Sequence, residues 1–162
     1  MYKYPITIEH KNLKIFDLGD IITEGEILED IHDRLFFTSQ KLLSDRKKII
    51  VLGGGNDISY PDCKAMSNVM KNPIVFNIDK HLDVRKSKLR NSGTSYRQLI
   101  EEKLINPKNF YEIGTNTFAN SPVYINYLEQ IGAHIFYLDV VRKAGINNTF
   151  KRILKNTEAD SI

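Results

Sequence analysis

Cysteine is nearly absent: Cys63 is the only one in 162 residues, so no internal disulfide can form and no cysteine-rich zinc site can be built. A reducing compartment is expected. Long apolar runs are missing too, and nothing approaches the roughly 20 residues needed to cross a bilayer. The N-terminus, Met1-Tyr2-Lys3-Tyr4-Pro5, lacks the apolar segment of a signal peptide. Together these absences predict a cytoplasmic protein with no membrane partner. Nor is there a block of like charge: 23 Lys and Arg are interspersed with 20 Asp and Glu, for a net charge of +3. That balance argues against nucleic acid and leaves the charges as solvated faces. No repeat, low-complexity segment or linker interrupts the chain. With 41% apolar and 27% charged residues, residues 1–162 read as one domain with one substantial core.

What is present is an alternation of short β-branched or aromatic runs with helical patterns, the signature of βαβ units and a mainly parallel sheet. The fold class is therefore α/β, with three layers and the sheet in the middle. Residues 13–16 are a first strand candidate, and residues 25–43 follow with Leu28, Ile31, Leu35 and Leu42 near helical spacing. Residues 49–52 are a continuous apolar run ended by three glycines, and residues 74–78 are another such run. Both are expected as neighbouring inner strands, because parallel strands covered on both faces are apolar throughout. Helices are expected near 63–70, 96–104, 123–131 and 148–154, with further strands at 111–113 and 134–138.

The chemistry gathers after the two best strand candidates, at the sheet edge where ligands of open α/β sheets bind. Asp79, His81 and Asp83 follow residues 74–78, and in extended backbone residues spaced by two project to one side. Two carboxylates and an imidazole make a mixed oxygen and nitrogen set that suits manganese, iron or zinc better than calcium. The same residues also read as a polar loop in which acids flank a histidine by chance, and spacing alone leaves both readings standing. Gly53-Gly54-Gly55 reads as a tight turn. Its spacing fits neither the dinucleotide fingerprint nor the Walker pattern. A metallophosphatase is disfavoured, since Gly55-Asn56-Asp57 lacks the expected histidine and precedes the Asp-x-His element.

In order along the chain, these segments resemble the arginase (ureohydrolase) superfamily. Val51-Leu52-Gly53-Gly54-Gly55-Asn56-Asp57-Ile58 is similar to its strand ending in Gly-Gly-Gly-His or Gly-Gly-Asp-His. Phe76-Asn77-Ile78-Asp79-Lys80-His81-Leu82-Asp83-Val84-Arg85 resembles its Asp-Ala-His-x-Asp signature in the form typical of formimidoylglutamases. Asn91-Ser92-Gly93-Thr94-Ser95-Tyr96-Arg97-Gln98 is similar to the Ser-Gly-Thr-Pro-Phe-Arg-Gln segment of that subgroup. The resemblance implies hydrolysis of C–N bonds in linear amidines, with two manganese ions activating water against a guanidinium or formimino carbon. It implies that Asp79 bridges the metals while His81 and Asp83 each bind one. It further implies that Ser92, Thr94 and Arg97 shape the substrate site, Arg97 toward a substrate carboxylate. The expected partner is a small-molecule amidine, and self-association is left open.

Two departures from the family pattern predict an impaired site. Asn56 stands where the family has its first histidine ligand, and a neutral amide oxygen is a poorer ligand for a transition metal. Asp57 beside it is a substitute ligand if it points the right way. Lys80 replaces the signature alanine, on the side that alternation turns away from the ligands. The family's later Asp-x-Asp element has no counterpart after Asp83, where only Asp139 and Asp160 remain. Residues 158–162 resemble the approach to that strand, so a fragment or a natural truncation is expected. A second reading is a non-catalytic arginase-fold relative that serves as a binding or assembly module.

Overall fold

A computed structural model describes residues 14–155. Helix α1 spans Leu28–Ser44 and α2 spans Ser59–Val69. Strand β1 follows at Val75–Ile78, then α3 at Ser95–Glu101, β2 at Phe110–Thr115 and α4 at Pro122–Gln130. Strand β3 at His134–Tyr137 runs directly into α5 at Leu138–Ala144, and α6 closes the described chain at Ile146–Lys155. Local chemistry sets these ends. Glu29 and Asp30 sit in the first turn of α1 and Lys41 near its end, each opposing the helix dipole. Ser121 caps α4 by accepting the Val123 N–H, with Pro122 at the first helical position.

The three strands form one parallel sheet in the order β1-β2-β3. Residues Val75 and Phe110 turn toward one face, where they join Tyr60, Leu82, Tyr96, Leu99 and Leu128 in the larger core beneath α2, α3 and α4. Phe76, Tyr111, Ile113 and Phe136 turn to the other face and pack with Val141, Phe150 and Ile153 of α5 and α6. A parallel sheet covered on both faces is the expected three-layer α/β arrangement. The register of β2 on β3 shifts between Ile113 and Thr115, where Gly114 takes φ +91° close to the Asp79 carbonyl. A residue with a Cβ would be strained in that left-handed backbone.

Several expectations need correction. Residues 49–52 form no strand; Ile50 is 88% exposed and Leu52 94% exposed. A parallel strand exists only through its ladder, and among the described residues no strand pairs with this run, so its apolar character goes unused. For the same reason β1 is an edge strand whose neighbour is β2. Of the candidate at 13–16, Leu13 lies outside the described residues, while Ile15 and Phe16 are exposed and irregular. Residue 138 begins α5 instead of ending β3, a helix that the apolar pattern did not mark. Residues 158–162 lie outside the described residues.

Candidate metal centre

The segment after β1 leaves the sheet at Asp79 and crosses its C-terminal edge. Its peptide groups are held closely. The Lys80 carbonyl accepts from the Asn116 N–H at 3.1 Å and from Asn120 Nδ2 at 2.8 Å. The Leu82 N–H donates to Asn120 Oδ1 at 2.9 Å, and the His81 carbonyl accepts from Asn77 Nδ2 at 3.1 Å. Leu82 and Val84 are sunk into the core, which turns the alternate residues Asp79, His81, Asp83 and Arg85 into an open cleft of about 280 Å3. Asn56 and Ser92 share the lining. Lys80 is exposed and absent from it, as the alternation requires.

Within the cleft the donors satisfy one another. The His81 N–H donates to Asp79 Oδ1 at 2.7 Å, and the His81 ring Nδ1 lies 3.1 Å from the same oxygen. Both side chains are close to half exposed, so this pair adds little to stability. Among the described residues no three His, Cys, Asp or Glu side chains are already arranged about one point. Asp83 takes φ +47°, a backbone that aspartate tolerates better than most residues. Burial, reinforced by Asp79, pushes its carboxyl up to about 6, against the opposing pull of His81 and Arg85. Crowded carboxylates in a partly desolvated cleft are the electrostatic setting that a dication relieves. In kind, then, the two carboxylates and the imidazole fit manganese.

Asn56 is tied to its neighbours. Its Nδ2 donates to Asp83 Oδ2 at 2.6 Å and to the Ser92 carbonyl at 3.3 Å, while its Oδ1 accepts from the Ser59 hydroxyl at 2.9 Å. The amide N–H thus orients Asp83, while its oxygen already serves the Ser59 hydroxyl and keeps a single lone pair beside the cleft. Asp57 is no substitute, because its Oδ2 lies 2.8 Å from Nε2 of His32, a buried residue of α1. That pair ties the glycine-rich loop to α1. Gly55 has ordinary φ, and its role is spatial: a Cβ there would collide with the Asp57 carboxyl.

The third motif divides. Ser92 lines the cleft, but Thr94 is fully buried, donating to the Asn91 carbonyl and accepting the Asn91 N–H. Arg97 lies outside the cleft lining: it donates to Glu101 Oε1 at 2.6 Å and stacks 3.5 Å over the Tyr127 ring. One helical turn separates Arg97 from Glu101, which makes an i,i+4 ion pair its natural fate. The cation in the cleft is instead Arg85, the last residue of the signature. Asn77, Glu112 and Asn120 also went unmarked, since single polar residues inside strands and turns carry no spacing signal.

The Arginase family matches residues 2–162 of the chain. The formimidoylglutamase of Bacillus subtilis (strain 168) is 33% identical over 144 residues, covering 86% of this chain and 45% of that protein. The formimidoylglutamase of Halalkalibacterium halodurans is 30% identical over 149 residues, covering 90% and 47%. The chain thus spans about half the length of the curated relatives it matches. Among solved structures, Trypanosoma cruzi formiminoglutamase with Mn2+ superposes with a TM-score of 0.85 at 31% identity, covering 93% of this chain and 51% of that one. The proclavaminate amidino hydrolase of Streptomyces clavuligerus, at 21% identity and a TM-score of 0.74 over 86% of this chain and 48% of that one, shares the fold. Among the described residues no helix is long and apolar enough to cross a membrane.

Proposed function

The chain belongs to the arginase family, and from that premise we propose that it carries the Asp-x-His-x-Asp portion of a manganese-dependent amidine hydrolase of the formimidoylglutamase kind. One observation carries the proposal: Asp79, His81, Asp83 and Arg85 leave the C-terminal end of β1 and line one cleft. Asp79, His81 and Asp83 would hold the metal. Manganese, when bound, supplies Lewis acidity for hydrolysis of an otherwise unreactive C–N bond. Asn56 keeps Asp83 oriented through its amide N–H. Arg85 offers a planar fork to a substrate carboxylate, and Ser92 offers a hydroxyl beside it.

A cleft with three ligand side chains cannot by itself offset the mutual repulsion of two dications, so this chain alone is proposed to hold at most one ion and to hydrolyse amidines at background rate. The test is formamide release from formimidoylglutamate, with and without manganese, by the 162-residue chain and by the longest native form of the protein. Manganese-dependent release by the native form that disappears in Asp79→Ala supports the proposal. Failure of the native form to bind manganese would leave the arginase fold serving as a binding or assembly module.

A further inference from the structure

Behind the cleft lie two polar side chains that the core packing does not call for. Asn77 of β1 and Glu112 of β2 are register partners in the parallel ladder, 5% and 0% exposed, on the face otherwise packed with Val75 and Phe110. Burying a carboxamide and a carboxyl is unfavourable unless both are hydrogen-bonded, and two apolar side chains would fill the same space without that demand. The pair instead makes a directed chain. One Asn77 N–H donates to Glu112 Oε2 at 2.9 Å, and the same amide nitrogen donates to the His81 carbonyl at 3.1 Å. Glu112 thereby fixes which way the Asn77 amide faces, with its nitrogen toward the loop.

The His81 carbonyl and the Leu82 N–H belong to one peptide group. Asn77 holds that group by its oxygen, and Asn120 Oδ1 holds it by its N–H at 2.9 Å. The plane is pinned from the sheet on one side and from the turn before α4 on the other. Rotating it would re-aim His81 before it and Asp83 after it.

We infer that Asn77 and Glu112 are positioning residues, a buried relay that locks the His81–Leu82 peptide and so pre-sets the directions of His81 and Asp83; this rests on reading those two side chains as metal ligands. Support of this kind, one bond removed from the ligands, changes metal affinity without touching the metal.

The test has two independent readouts on the full chain, the hydrogen exchange of the Leu82 amide without metal and the manganese dissociation constant. In Asn77→Leu and Glu112→Leu the Leu82 amide should exchange roughly tenfold faster, the loss expected of one net hydrogen bond. Manganese should bind about 10–100-fold more weakly. Glu112→Gln keeps an acceptor for Asn77 and should stay near wild type in both. The double variant Asn77→Leu, Glu112→Leu removes both buried polar groups and should keep its melting temperature, yet remain fast-exchanging and weak in manganese. A folded double variant with wild-type Leu82 exchange would overturn the inference. If the wild-type chain binds no manganese the ligand reading fails by itself, and the Leu82 amide still decides whether the relay holds the loop.

Discussion

Asp83 is where the electrostatics of the cleft concentrate. Its carboxyl is pushed from an ordinary value of 3.8 up to about 6, by burial first and by Asp79 second. The sign for stability follows from a raised acid: Asp83 favours the metal-free fold most below pH 3.8, and that contribution is lost as the pH rises through about 6. Metal binding runs the other way, since a carboxylate ligand must be deprotonated. Manganese affinity should therefore rise between pH 5 and 7 and level off above, an outcome checked by titrations at fixed ionic strength. A flat profile across that range would mean that Asp83 does not bind the ion. Arg97 gives a second residue-level prediction. Removing its contacts with Glu101 and Tyr127 should cost about 1 kcal/mol of stability, read by urea unfolding, with manganese affinity unchanged. That Asp79, His81 and Asp83 turn into one cleft is legible in the sequence, because period-two spacing after a strand is a geometric statement. Arg97 sits at helical spacing from Glu101, and in the structure that ion pair on its own helix holds it outside the cleft lining, a placement that the motif alone does not specify.

Strands and helices were legible where tertiary partners exist to use their pattern. The runs at 75–78, 110–115 and 134–137 pair in one ladder, and both faces of that ladder are covered. The run at 49–52 carries an equally strong apolar signal and forms no strand, because hydrogen-bonded partners, not hydrophobicity, define a strand. Helix α5 carries no start signal in the sequence, because its seven residues, Leu138–Ala144, follow β3 without a turn between them. The exposure of Ile50 makes the difference measurable. Ile50→Lys in this chain should change stability by less than about 0.5 kcal/mol, as surface substitutions do. An inner strand would instead lose several kcal/mol on burying an unpaired lysine there. Phe110, fully buried with its ring tilted against that of Tyr96 at 4.8 Å between centroids, is the contrasting position: Phe110→Ala should cost about 3–5 kcal/mol, measured by the same unfolding curve.

At the scale of the molecule, the sheet, its two cores and the loop after β1 make a scaffold that brings Asp79, His81 and Asp83 to one cleft, with His81 held by Asp79 and Asp83 held by Asn56. On the proposed reading, manganese would have to displace the His81 and Asp79 contact, and Asn56 would orient Asp83 through its N–H. Binding should consequently be weak and limited to one ion per chain. The most direct measurement is a titration of the 162-residue chain with Mn2+ followed by the loss of the free-ion EPR signal, run in parallel on His81→Ala and Asp79→Ala. Weak binding of no more than one ion, abolished in both variants while the fold is retained, is the expected result. Binding that survives both substitutions, or tight binding of two ions with manganese-dependent formamide release by this chain, would contradict it.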